Sequence, residues 1–123
     1  MGRRLHVVKK QAVYGNTEAF NWMYEEFRNF LKMFSDEVTG DEYSDNWEIP
    51  VEDFKKALDF VKKYAKGDDK KRTKLCEDYG IDKDDFVEAL VSLDERPDGL
   101  AEIMQDFYRE RDKHSSYMQF SVW

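Results

Sequence analysis

Ser115-Ser116-Tyr117-Met118-Gln119-Phe120-Ser121-Val122-Trp123 runs apolar and polar residues in alternation. Met118, Phe120 and Val122 fall on one face of an extended chain. Tyr117, Gln119, Ser121 and Trp123 fall on the other, which is the period of a β-strand. A single strand leaves its backbone N–H and C=O groups unpaired, so it needs a neighbour. Its natural partner is residues 5–13, a short Val-containing stretch followed by Gly15-Asn16. The expectation is an α+β fold, mostly helical, with about five helices and a small sheet pairing the N-terminal and C-terminal strands. At 123 residues it is expected to form a single compact domain over 1–123.

Between the two strands the spacing turns helical. Asn16 or Thr17 can cap a helix whose apolar stripe is Phe20, Met23, Tyr24, Phe27, Phe30, Leu31, Phe34 and Val38, at steps of three and four. Trp22 and Met33 lie off that stripe, on its far side. Residues 39–49 read as a polar loop carrying Tyr43 and Trp47, and Pro50 suits the first turn of a second helix. Val51, Phe54, Leu58, Val61 and Ala65 mark the buried face of that helix, and Gly67-Asp68-Asp69 ends it. Two shorter helices, 70–79 and 82–93, follow around Gly80. Pro97-Asp98-Gly99 reads as a turn before a last helix with Leu100, Ile103, Met104, Phe107 and Tyr108 inward.

Composition narrows the function classes. One cysteine excludes a disulfide framework and fits a reducing compartment. No run is apolar enough for a membrane span, and the N-terminal basic residues enclose too few apolar residues for an export signal, so a cytoplasmic location is expected. Gly2 lacks the Ser or Thr at position 6 that myristoylation wants, because that residue is His6. The net charge of −7 is a sum of opposed blocks. Residues 16–54 carry −9 and 75–98 carry −7, whereas 55–74 carry +6.

Catalytic chemistry has little to stand on. The two histidines, His6 and His114, approach one another only if the terminal strands bring them together, and no third metal ligand is apparent. Cys76 precedes Glu77 and Asp78, which hold a thiol protonated, and reads as a small core residue. Loops starting at Asp41 and Asp94 fail the EF-hand pattern, with Tyr43 and Arg96 at the third ligand position. Adjacent acids such as Glu25-Glu26 and Asp84-Asp85 diverge by about 100° on a helix and do not converge on a substrate. No catalytic, cofactor-binding or metal-binding residue is assigned, and no enzyme is expected.

The stretch from Leu75 to Leu90 has more positional structure. Cys76, Gly80 and Ile81 stand where a helix-turn-helix places its small residue, turn glycine and following apolar residue, with Phe86 and Leu90 packing the second helix. Residues 70–93 thus resemble that motif. Its second helix opens with Asp82, Lys83, Asp84 and Asp85, whose carboxylates repel phosphate. The basic residues precede it, at Lys66, Lys70, Lys71, Arg72 and Lys74.

The first expectation is therefore a non-enzymatic protein–protein interaction or accessory domain. It would use an aromatic patch rimmed by acids, from Trp22, Met33, Tyr43, Trp47 and Trp123. Its partner would be another protein or a second copy of the chain, with no membrane involved. The alternative is nucleic-acid binding through segment 55–74 and the hairpin 70–93. A second alternative is an acidic mimic of nucleic acid, which demands that the acids of 16–54 and 75–98 share a face.

Overall fold

A computed structural model of the protein describes residues 5–10, 13–19, 24–39 and 46–122. Its elements run β1 (Leu5–Lys10), β2 (Val13–Ala19), α1 (Tyr24–Leu31), β3 (Asn46–Pro50), α2 (Val51–Lys66), α3 (Asp69–Tyr79), α4 (Lys83–Leu93), α5 (Pro97–Glu110) and β4 (Tyr117–Val122). The fold is α+β and mostly helical, and the N-terminal and C-terminal strands pair. Leu5 lies opposite Val122, His6 opposite Ser121 and Val7 opposite Phe120, antiparallel.

The sheet has four strands in the order β2-β1-β4-β3, two more than the alternation of residues 115–123 and the Val-containing stretch predict. β2 takes in Val13, expected to end the first strand, the Gly15-Asn16 break, and the residues from Asn16 or Thr17 expected to cap and begin the first helix. Gly15 and Asn16 are poor helix formers, and β1, paired on one side by β4, gains a partner for its other edge. β3 lies in the stretch expected to be a polar loop. It pairs with β4 from Asn46–Ser121 to Pro50–Tyr117. Trp47 and Ile49 face inward and Glu48 outward, a strand pattern too short to stand out among flanking acids.

The helix α1 is correspondingly shorter than its stripe suggests. Past Leu31 its hydrogen bonds tighten, with Met33 N–H donating to the Phe30 carbonyl and Phe34 N–H to that of Leu31. This 3₁₀ closure keeps Phe34 buried beyond the end of the helix. Ser35 then donates to Asp53 at 2.6 Å, tying the end of α1 to the first turn of α2.

Pro50 is the N-cap of α2 and offers no side-chain cap. The Val51 N–H donates instead to the Ser116 carbonyl at 2.8 Å, so the chain leading into β4 caps the helix. Phe54, Ala57, Leu58, Phe60, Val61 and Tyr64 form the buried face of α2. That face is broader than the predicted stripe because α2 packs against both α5 and α3. Pro97-Asp98-Gly99 is the first turn of α5 rather than a separate turn. Pro97 suits the first helical position and Asp98 complements the positive end of the dipole.

Helices cover the inner face of β3 and β4, where Trp47, Ile49, Met118 and Phe120 are buried, whereas Glu48, Tyr117 and Gln119 point outward. Among the described residues two aromatic clusters fill the core. Beside the sheet, Phe120 stacks on Trp47 at 4.4 Å and meets Phe107 edge-on at 5.2 Å. Farther out, Phe60 and Tyr64 of α2 close edge-on around Phe86 at 4.9 and 4.6 Å. Phe27 and Phe30 of α1, 6.1 Å apart, join the two.

Candidate functional site

Among the residues expected to bind protein, Trp22, Tyr43 and Trp123 lie outside the described residues. Trp47 is a core residue, 4% exposed, with its ring against Phe120 and Phe27. Met33 is half-buried and packs on the core. The described residues therefore bring no aromatic patch to the surface around Trp47 and Met33.

Met33 instead borders a groove of about 220 Å³ between α1 and α4. Phe30, Met33 and Ala89 supply its apolar surface, and Glu26, Asp85 and Glu88 its acids. On α4 the residues Phe86, Leu90 and Leu93 are buried. Asp85, Glu88, Ala89 and Ser92 recur one turn apart on the groove side. Val87 and Val91 form a third row, facing solvent, with Val91 75% exposed and Val87 42%. Glu26 Oε2 is buried and has no hydrogen-bond donor among the described residues. The aliphatic row was readable in the sequence, since Val87 and Val91 are one turn apart and off the Phe86–Leu90 stripe. The groove was not, because it needs α1 placed beside α4.

The basic segment divides by fold position. Lys63, Lys66, Lys71 and Lys74 line an open cleft of about 370 Å³ between the end of α2 and one side of α3, which Asp78 closes at its far end. Lys70 borders a neighbouring depression with Asp69, Thr73, Lys74 and Glu77. Arg72 is turned away from both. Its Nε donates to the Tyr64 carbonyl at 2.8 Å and its guanidinium lies 4.5 Å over the Tyr64 ring, pinning α3 to α2.

The hairpin resembling a helix-turn-helix is present as two helices joined through Gly80. That glycine caps α3 at φ +67°, a left-handed conformation that favours glycine. Asp82 caps α4 by accepting from the Asp85 N–H. Lys83, the one cation at the start of α4, bends back to Asp69 at 2.7 Å and to Thr73 at 3.0 Å. Its hydrogen bond and charge hold the Asp69 carboxyl below its ordinary value, and the same bond holds the Lys83 ammonium above its own. What α4 presents at its N-terminal end is Asp82, Asp84 and Asp85, the wrong sign for a phosphate backbone.

Cys76 is buried, and burial foremost raises its thiol above the ordinary range, with Lys83 opposing and Asp82 reinforcing. His6 stands opposite Ser121, whereas His114 precedes β4. The strand from Ser121 back to Tyr117 alone spans about 13 Å, so the two histidines are not brought together. Among the described residues no group of three His, Cys, Asp or Glu side chains could hold a metal ion. No described helix is long and apolar enough to cross a membrane. No protein-family model, curated protein or solved structure matches this chain.

Proposed function

We propose that the protein is a non-enzymatic accessory domain that binds another protein, receiving a basic amphipathic helix on the acid-rimmed face of α1 and α4. The observation that supports this is the Val87–Val91 row, the most exposed aliphatic surface of the described residues. Exposed β-branched residues one turn apart gain nothing for the helix itself, because their burial energy is unrealised in the isolated chain. Asp84 and Glu88 run between that row and the groove floored by Met33. A partner helix with apolar residues at three- and four-residue spacing and Lys or Arg beside them would match both features. A basic side chain entering the groove would also bring a donor toward Glu26.

The same arrangement bears on the acidic-mimic alternative. Glu26 from segment 16–54 does share a groove with Asp85 and Glu88 from 75–98. The aliphatic row beside them favours a protein helix over a phosphate imitation, since a nucleic-acid groove offers no such patch to imitate.

The test is binding of a Lys/Arg-rich amphipathic model helix of about 18 residues, compared with a scrambled peptide of equal charge. The expected result is preference for the amphipathic peptide, with at least tenfold loss in the double variant Val87→Ser/Val91→Ser at unchanged Tm. Equal binding of both peptides, or indifference to that double variant, would overturn the proposal. Light scattering of the free chain separates a second copy from a foreign partner. A dimer dissociated by the same substitutions would assign the face to self-association.

A further inference from the structure

We infer that the lysine cleft between α2 and α3 is a second binding site, one that grips the phosphate backbone of nucleic acid. Lys63, Lys66, Lys71 and Lys74 line one open cleft whose acid is Asp78, with the Lys63 ammonium 5.8 Å over the Tyr79 ring. Asp78 sits 3.5 Å from Lys74, and both side chains are more than half exposed, so the pair is weak and exchanges readily with a phosphate. Among the described residues, Lys66, Lys70 and Lys71 pair with no carboxylate.

Helix stabilisation accounts for only half of this charge. Lys63 and Lys66 lie in the last turn of α2, where the negative end of the dipole welcomes cations. The helix α3 is arranged the other way. Asp68 and Asp69 suit its positive end, but Lys70, Lys71 and Arg72 crowd the same end, and its last turn holds Glu77 and Asp78 with no basic residue. The latter charges oppose the dipole at both ends, on a helix that buries only Cys76. Arg72 is accounted for by its tie to Tyr64, and Asp78 by its pair with Lys74, whereas Lys70 and Lys71 have no such structural partner among the described residues. Lys71 lines the cleft, and with Lys74 of the next turn it stands across from the lysines of α2.

The chemistry favours nucleic acid over a lipid surface. The large exposed apolar side chains of the described residues are Val87, Val91 and Tyr117, and none lines the cleft, so nothing there would insert into a bilayer. An open basic cleft between two helices suits a strand of phosphates laid along it. Recognition would be independent of sequence, because lysines on phosphates position a chain without reading bases. This is also a different use from that of a helix-turn-helix, whose second helix is acidic here.

Fluorescence anisotropy of the full chain with about 20-nucleotide single-stranded and duplex DNA tests the inference. With three phosphates neutralised, duplex affinity should fall about 40-fold between 50 and 200 mM salt, and somewhat less for a single strand. Lys66→Ala and Lys71→Ala should each weaken binding and flatten the salt slope by about one. Lys55→Ala and Lys113→Ala, on another groove, should change neither. Absence of binding at 50 mM salt, or binding indifferent to Lys66 and Lys71, would overturn the site. Equal affinity for phosphatidylserine vesicles or polyglutamate with the same lysine dependence would overturn nucleic acid as its ligand. The peptide experiment on α4 reads a separate face, so either proposal can fail while the other stands.

Discussion

Asp94 ends α4 in a left-handed conformation, φ 54°, the one non-glycine positive φ among the described residues. Holding a side chain there costs roughly 1 kcal/mol, and a carboxylate at a helix C-terminus faces the negative end of the dipole. Its neighbour Glu95 has a carboxyl raised above its ordinary value, by burial first and then by Asp94 and Asp98. A raised carboxyl leaves stability intact while protonated and lowers it as pH climbs through the folded-state pKa. Asp94→Gly removes the strain, the dipole clash and one source of the Glu95 shift. The expected outcome in urea unfolding is a stabilisation of about 0.5–1 kcal/mol at pH 7, shrinking as pH drops toward 4. Asp94 was legible only as an acid in a turn, because φ is invisible in residue identity.

At the scale of elements, α3 is held by its ends more than by its face. Asp68 caps it by accepting from the Lys71 N–H at 2.9 Å, Gly80 closes it, and Arg72 ties it to Tyr64. Lys71→Glu would put an acid at the third position of the helix, completing a capping box with Asp68 and aligning the charge with the dipole. A gain of about 0.3–1 kcal/mol is expected, read as a higher urea midpoint with an unchanged m-value. The same variant should lose DNA binding, so stability and the proposed site would move in opposite directions. The positions of α2 to α4 were legible because their caps and breaks are written locally, in Asp68, Gly80 and Asp82. The strands β2 and β3 were not. Seven residues with Gly15 and Asn16, and five ending in Pro50, carry too little periodicity, and they become strands because β1 and β4 offer them edges.

Across the whole molecule, Phe120 is where the elements converge. Its ring meets Phe27 of α1, Trp47 of β3, Phe54 of α2 and Phe107 of α5. Phe120→Ala should cost about 3–5 kcal/mol, a large part of the stability of a domain this size. Circular dichroism and tryptophan fluorescence should lose structure in one coincident urea transition, because sheet and helices share that core. Two separate transitions would show that the sheet and the outer helices are independent units. The sequence by itself determined α2 to α4, the cap at Asp82, the alternation of β4 and the opposed charge blocks, since these depend on neighbours within a few residues. Only the tertiary structure decided that Trp47 is core rather than surface, that lysines of α2 and α3 line one cleft, and that Glu26 shares a groove with Asp85 and Glu88. Each of those juxtapositions depends on which surfaces pack together, and local spacing carries no information about that.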